Sequence, residues 1–96
     1  MFVLVAYDVN ITSSGGTRRL RSVAKACLDY GKRVQNSVFE CLLTEAQYVL
    51  LKVRLLEIID TQEDSIRFYL LGSNWKRRVE TIGKSYSLDF DDELVI

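Results

Sequence analysis

Apolar and polar residues alternate from the second position of the chain. Phe2, Leu4, Ala6 and Asp8 share one face of an extended segment, and Val3, Val5, Tyr7 and Val9 share the other. Both faces are mostly apolar, which predicts a central strand over 2–9. Thr12-Ser13-Ser14-Gly15-Gly16 is small and polar and reads as a loop. The period then lengthens: Leu20, Val23, Ala24, Cys27 and Leu28 recur at helical spacing. A helix over 17–30 follows, capped by Thr17, with its basic side chains mainly off the buried stripe. Gly31 is expected to end it by taking the left-handed conformation.

A period of two returns over 32–43, where Val38 and Leu42 oppose Phe39, Cys41 and Leu43. The segment between the helices is so brief that two strands fit only if one is very short, with the bend at Asn36-Ser37. Thr44-Glu45-Ala46-Gln47 matches a capping box and opens a second helix to about residue 60. Tyr48, Leu51, Leu55, Ile58 and Ile59 form its main apolar face, and Lys52, Arg54 and Glu57 are solvated. After a polar turn at 61–64, Ile66, Phe68 and Leu70 alternate within a last strand over 65–72. The order β-α-β-β-α-β predicts an α+β, ferredoxin-like fold: an antiparallel sheet with both helices on one face. Val79 and Ile82 suggest a further short strand in 78–83, and Leu94-Val95-Ile96 close the chain with apolar residues. Either suits exchange onto the sheet edge of a second subunit.

Composition narrows the picture. At 96 residues, 48% hydrophobic and 27% charged, the chain fits one domain over 1–96. Its core occupies about 1–72, and 73–96 form an extension for dimer or partner contacts. So small a domain buries only about 60–65% of its unfolded surface, and leftover apolar area favours a homodimer. The first strand lacks the flanks of a signal peptide, and nothing approaches the ~20 apolar residues that span a bilayer. A cytoplasmic protein without membrane contact is expected, its Cys27 and Cys41 kept as buried thiols. The chain has no histidine. Ser-His-Asp and Cys-His catalysis and histidine-ligated metals are thereby excluded, so any hydrolysis needs carboxylates, a metal or another base.

The formal net charge is zero, yet the charges are sorted. Arg18, Arg19, Arg21, Lys25, Lys32 and Arg33 face a single Asp29 between positions 17 and 35, and Lys76, Arg77 and Arg78 form a second cluster. The acids gather at Asp89, Asp91, Asp92 and Glu93. A neutral protein sorted in this way can present a basic face to phosphates. Arg18, Arg19, Arg21, Arg33, Lys76, Arg77 and Arg78 are the candidates for holding nucleic acid without reading its bases. The plainer account is a solvated helix face with acidic neighbours. Tyr7, Phe39, Phe68 and Tyr69 invite comparison with the stacking aromatics of RNA-recognition domains, but no run matches that signature. Core or dimer packing explains them better. Trp75 either stacks on a partner or packs on its own domain.

Three segments together resemble one family: Leu4-Val5-Ala6-Tyr7-Asp8-Val9, then Arg18-Arg19-Leu20-Arg21-Ser22-Val23-Ala24-Lys25-Ala26, then 31–41 with its Gln35-Asn36-Ser37-Val38-Phe39-Glu40 run. With the basic Asn74-Trp75-Lys76-Arg77 stretch, their order and spacing resemble the small CRISPR-associated endonuclease of the adaptation module across nearly the whole chain. The resemblance implies a symmetric ferredoxin-like homodimer that joins two dimers of the integrase subunit during spacer capture. It also implies a metal-dependent nuclease acting on RNA or DNA, with the strand-ending Asp8 as metal ligand and catalytic residue.

A lone carboxylate is a poor Mg²⁺ site, but a two-fold axis near the ends of the first strands would supply a second Asp8. Two carboxylates ~5.5 Å apart repel by roughly 3 kcal/mol at an effective dielectric of 20, which Mg²⁺ or Mn²⁺ would relieve. The blander reading is that Asp8 hydrogen-bonds the amides of the following turn. Ser37 would orient a phosphate or water, or else satisfy backbone in its own turn. The rival to an enzyme is a non-catalytic scaffold that binds DNA and bridges integrase dimers. A small-molecule regulatory domain of the same fold is the third reading.

Overall fold

The structure is a computed structural model and describes residues 1–83. Strands β1 (Phe2–Asp8), β2 (Lys32–Gln35), β3 (Val38–Leu42) and β4 (Ser65–Gly72) form one antiparallel sheet in the order β2-β3-β1-β4. Helices α1 (Gly16–Leu28) and α2 (Glu45–Ile58) complete the β-α-β-β-α-β order of the ferredoxin-like fold.

The two faces of β1 part as the alternation predicts. Val3, Val5, Tyr7 and Val9 join Phe39, Cys41 and Leu43 in the core, against Val23, Ala26 and Cys27 of α1 and Leu51 and Leu55 of α2. The register puts Leu4 beside Glu40 and Tyr69, and Ala6 beside Val38 and Arg67, on the opposite face. There Leu42 and Tyr69 remain 47% and 43% exposed, and among the described residues neither α1 nor α2 covers this face of the sheet. Both cysteines are free and buried, and burial pushes their thiols up, Cys27 to about 12 and Cys41 to about 11.

Local chemistry explains most boundaries. At α2 the Thr44 hydroxyl accepts the Gln47 amide at 3.1 Å while the Gln47 side chain accepts the Thr44 amide at 2.9 Å, the capping box expected there. At α1 the expectation fails: Thr17 lies inside the helix, and the cap is Gly15 at φ 74°. Only glycine takes that conformation without strain, and at Gly16 a Cβ would collide with the Asn10 carbonyl. The buried stripe is also rotated from the expected one. Ala26 is fully buried and Leu28 is 54% exposed, because α1 meets the sheet along Val23, Ala26 and Cys27 and ends as Leu28 turns away. Gly31 is not among the left-handed glycines. Its requirement is space, since a Cβ would strike the Glu40 carbonyl and the Cys41 Sγ.

Helix α2 is apolar nearly all round, and Val49, Leu50, Val53 and Leu56 are exposed beyond its buried Leu51 and Leu55. No helix among the described residues is long and apolar enough to cross a membrane. Trp75–Arg78 form a helical turn, α3, and 79–83 pair with no strand of their own sheet; the short strand expected in 78–83 is one suited to the sheet edge of a second subunit. Trp75 of this turn stacks on the Phe2 ring with centroids 4.4 Å apart. The acidic cluster at 89–93 and the terminal Leu94-Val95-Ile96 lie outside the described residues.

Candidate nucleic-acid and metal site

Asp8 is the last residue of β1, exposed, and sits opposite Ser65 of β4. On its other side the β2–β3 turn comes close, because the Tyr7 amide donates to the Ser37 carbonyl at 3.0 Å and the Tyr7 hydroxyl to the Asn36 carbonyl at 3.4 Å. Ser37 and Asp8 therefore share one end of the sheet. The Asp8 side chain has no hydrogen bond or ion pair among the described residues, and the turn-capping role allowed for it does not occur there.

Arg33 approaches the same end from the edge strand. Its guanidinium lies 5.1 Å from the Phe39 ring centroid and beside the Tyr7 hydroxyl. Burial raises the Tyr7 hydroxyl above its ordinary pKa, Cys27 adds to the rise, and Arg33 opposes it. Arg18 and Arg21 are exposed in the first turns of α1, with no partner among the described residues.

The structure sets Arg19 apart from the other basic candidates. Its Nε donates to Asp64 Oδ2 at 2.7 Å, Nη1 to the Ser14 carbonyl at 2.7 Å, and Nη2 to Ser13 Oγ at 2.6 Å and Asp64 Oδ1 at 3.3 Å. Its side chain is 13% exposed and that of Asp64 fully buried. Every guanidinium nitrogen makes a hydrogen bond inside the chain, so Arg19 ties together the loop after Asp8. Its partners Asp64 and Asn10 escape a reading of the sequence. The available signal was an acid placed directly ahead of the last strand.

Lys76, Arg77 and Arg78 lie elsewhere. They follow β4, whose Gly72 pairs with Phe2 at the start of β1. Asp8 lies six residues along β1 from that end, about 20 Å away. Arg78 donates to the Leu71 carbonyl at 2.9 Å, and Lys76 stands 5.7 Å over the Trp75 ring. The basic residues thus form two groups, Arg18, Arg21 and Arg33 toward the Asp8 end and 76–78 at the other. Among the described residues no three acids or cysteines gather in a way that could hold a metal ion. Among the described residues the Asp8 end of the sheet offers a hard cation the exposed Asp8 carboxylate, a donor suited to Mg²⁺ once waters, phosphate or a second carboxylate complete the shell.

Comparison with known proteins decides the family. A family model described as CRISPR associated protein Cas2 matches residues 1–79. The chain belongs to the Cas2 family. It is 54% identical over 95 residues to the CRISPR-associated endonuclease Cas2 of Halalkalibacterium halodurans, covering 99% of each chain. To the CRISPR-associated endoribonuclease Cas2 3 of Rhodospirillum rubrum it is 54% identical over 94 residues, covering 98% of this chain and 99% of that one. The crystal structure of Streptococcus pyogenes Cas2 at pH 6.5 superposes with a TM-score of 0.76 at 65% identity, over 86% of this chain and all of that one. The ferredoxin-like fold inferred from periodicity is therefore the fold of solved Cas2 proteins.

Proposed function

We propose that this Cas2 chain is a divalent-metal-dependent endonuclease of CRISPR adaptation, working in the cytoplasm as a homodimer that also joins dimers of the integrase subunit. The observation that carries the reading is Asp8: an exposed carboxylate with no described partner, at the end of a central strand, beside a sheet face that neither α1 nor α2 covers. Relatives named endonuclease and endoribonuclease support cleavage of phosphodiester bonds, in DNA or RNA. The uncovered face with Leu42 and Tyr69 supports a second copy, which would bring a second Asp8 to the ion. When bound, Mg²⁺ or Mn²⁺ polarises a phosphate oxygen and lowers the pKa of a coordinated water. The chain's own part is to supply Asp8 oxygens as ligands and to hold the substrate's phosphates through Arg18, Arg21 and Arg33, with Ser37 at the same sheet end.

The test is a nuclease assay of wild type and Asp8→Asn at matched salt, with Mg²⁺, Mn²⁺ and chelator, on RNA, single-stranded DNA and duplex DNA. Cleavage by wild type alone, abolished by chelator, is expected; equal cleavage by both proteins rejects the enzyme. A second reading, a scaffold that binds DNA without cutting it, is favoured by the two separate basic groups and by the lack, among the described residues, of three acids or cysteines grouped to hold a metal. It requires DNA binding that survives Asp8→Ala with no metal-dependent cleavage by wild type.

A further inference from the structure

The ladder between β1 and β4 ends with Asp8 opposite Ser65. Just beyond it the pairing continues with a side chain in place of backbone, as Asp64 Oδ1 accepts the Asn10 amide at 3.0 Å. The same carboxylate accepts the Asp60 amide at 2.9 Å through Oδ2 and both Arg19 contacts, four donors in all. Arg19 in turn holds the carbonyl of Ser14 and the hydroxyl of Ser13, and Ser13 Oγ donates to the Asn10 carbonyl at 2.8 Å. The Asn10 side chain closes the circuit, donating to Glu63 at 2.7 Å and accepting the Thr12 amide at 3.0 Å. The loop after β1, the first turn of α1 and the turn before β4 are thus tied to one buried ion pair.

We propose that Arg19 and Asp64 are positioning residues for Asp8, clamping the chain that leaves β1 and so fixing where the Asp8 carboxylate is presented to a divalent cation. This rests on the nuclease reading above. Asp8 has no side-chain partner among the described residues, so its direction is set by backbone alone. Upstream the backbone is held by the sheet; downstream the first anchor is Asn10, two residues on, whose amide Asp64 holds. Bonds to an ionised acceptor are shorter and stronger than neutral ones, which suits a clamp on an otherwise polar loop. A displacement of about 1 Å at a reacting group costs on the order of 100-fold in rate, so a loosened anchor has a catalytic cost without touching substrate.

The test compares wild type, Asp64→Asn, Arg19→Gln and Arg19→Lys as full chains, each checked for folding. Three readouts are taken: hydrogen exchange of the Asn10 amide, Mn²⁺ broadening of the Asp8 and Val9 amide resonances, and kcat with KM on one oligonucleotide. Positioning predicts faster Asn10 exchange, weaker Mn²⁺ broadening, and kcat lowered about 10- to 100-fold at unchanged KM. Arg19→Lys recovers part of each. A raised KM with a salt slope smaller by about one per copy would make Arg19 a phosphate ligand and overturn the proposal. A lower melting temperature with unchanged kcat and Mn²⁺ broadening would reduce the pair to a structural one and overturn it too. Should wild type cleave nothing, or Asp8→Asn cleave as well as wild type, the nuclease reading falls separately. Asn10 exchange and Mn²⁺ broadening then still decide whether the pair places Asp8.

Discussion

Phe2 and Trp75, at the two ends of the described chain, stack with ring centroids 4.4 Å apart and planes 16° from parallel. Phe2 is fully buried on the face of the sheet opposite α1 and α2, and the short α3 lies over that corner. Trp75→Ala removes a stacked pair worth about 0.5–1.5 kcal/mol beyond the area it buries. The urea midpoint should fall and the near-ultraviolet dichroism should weaken, while oligonucleotide affinity at fixed salt stays as in wild type. Lost affinity at unchanged stability would instead assign Trp75 to base stacking.

Asp64 gives the protein an acid limit. Its carboxyl is held down to about 2, first by the Arg19 hydrogen bond and then by the Asp60 and Asn10 amides, with burial working against them. An unfolded aspartate titrates near 3.9, so the folded pKa is the lower of the two. The stabilisation is present in full above about pH 4 and is lost as pH falls toward 2. Asp64→Asn should lower the urea midpoint at pH 7 and flatten its decline between pH 4 and 2. Parallel wild-type and variant curves across that range would show that other carboxylates set the acid limit.

How much could be read from the sequence depended on the range of each interaction. The faces of β1 and β3 were legible because strand alternation is written in consecutive residues, and the Thr44–Gln47 capping box because its partners are three apart. Gly15 as the α1 cap was hidden by the more usual capping residue Thr17 beside it. Arg19 looked like its neighbours Arg18 and Arg21. What separates it is Asp64, 45 positions away, brought alongside only when β4 pairs with β1. Trp75 lay in a basic run that left a partner and its own domain equally open, and it stacks on Phe2, near the other end of the sequence. Asp8 was legible as the polar end of an apolar strand, whereas its isolation from neighbouring side chains belongs to the fold.

The division among the arginines predicts different salt dependence. Arg18 and Arg21 are exposed and have no partner among the described residues, so each phosphate they neutralise releases counterions. Arg18→Ala and Arg21→Ala should each lower the slope of log K against log salt by roughly 0.7–0.9 for every phosphate no longer neutralised, leaving the melting temperature nearly unchanged. Arg19→Gln should do the reverse, lowering the melting temperature with the slope intact. Titrations by fluorescence anisotropy between low and physiological salt distinguish the two. An Arg18→Ala, Arg21→Ala double variant with the wild-type slope would remove this helix face from the binding surface.

Gly16 offers a way to move the loop after Asp8 without altering any charge. A Cβ there would run into the backbone carbonyl of Asn10 and the backbone of Ile11, neither of which is a flexible side-chain end that can swing away. Gly16→Ala must therefore shift the loop or the start of α1, at a cost of about 1–3 kcal/mol by analogy with overpacked cores. Because Asn10 is also the residue that Asp64 and Arg19 hold, that shift strains the segment leading from Asp8. Metal-dependent cleavage per folded molecule should fall while oligonucleotide affinity and its salt slope stay near wild type, since no basic side chain is removed. Gly15→Ala, which meets only the Arg19 side chain at 3.5 Å but carries the left-handed backbone, serves as the companion variant. It should lower stability through its φ angle and disturb cleavage less. Equal losses of cleavage in the two would mean that general loosening of the α1 start, not displacement of Asn10, governs the Asp8 end of the sheet.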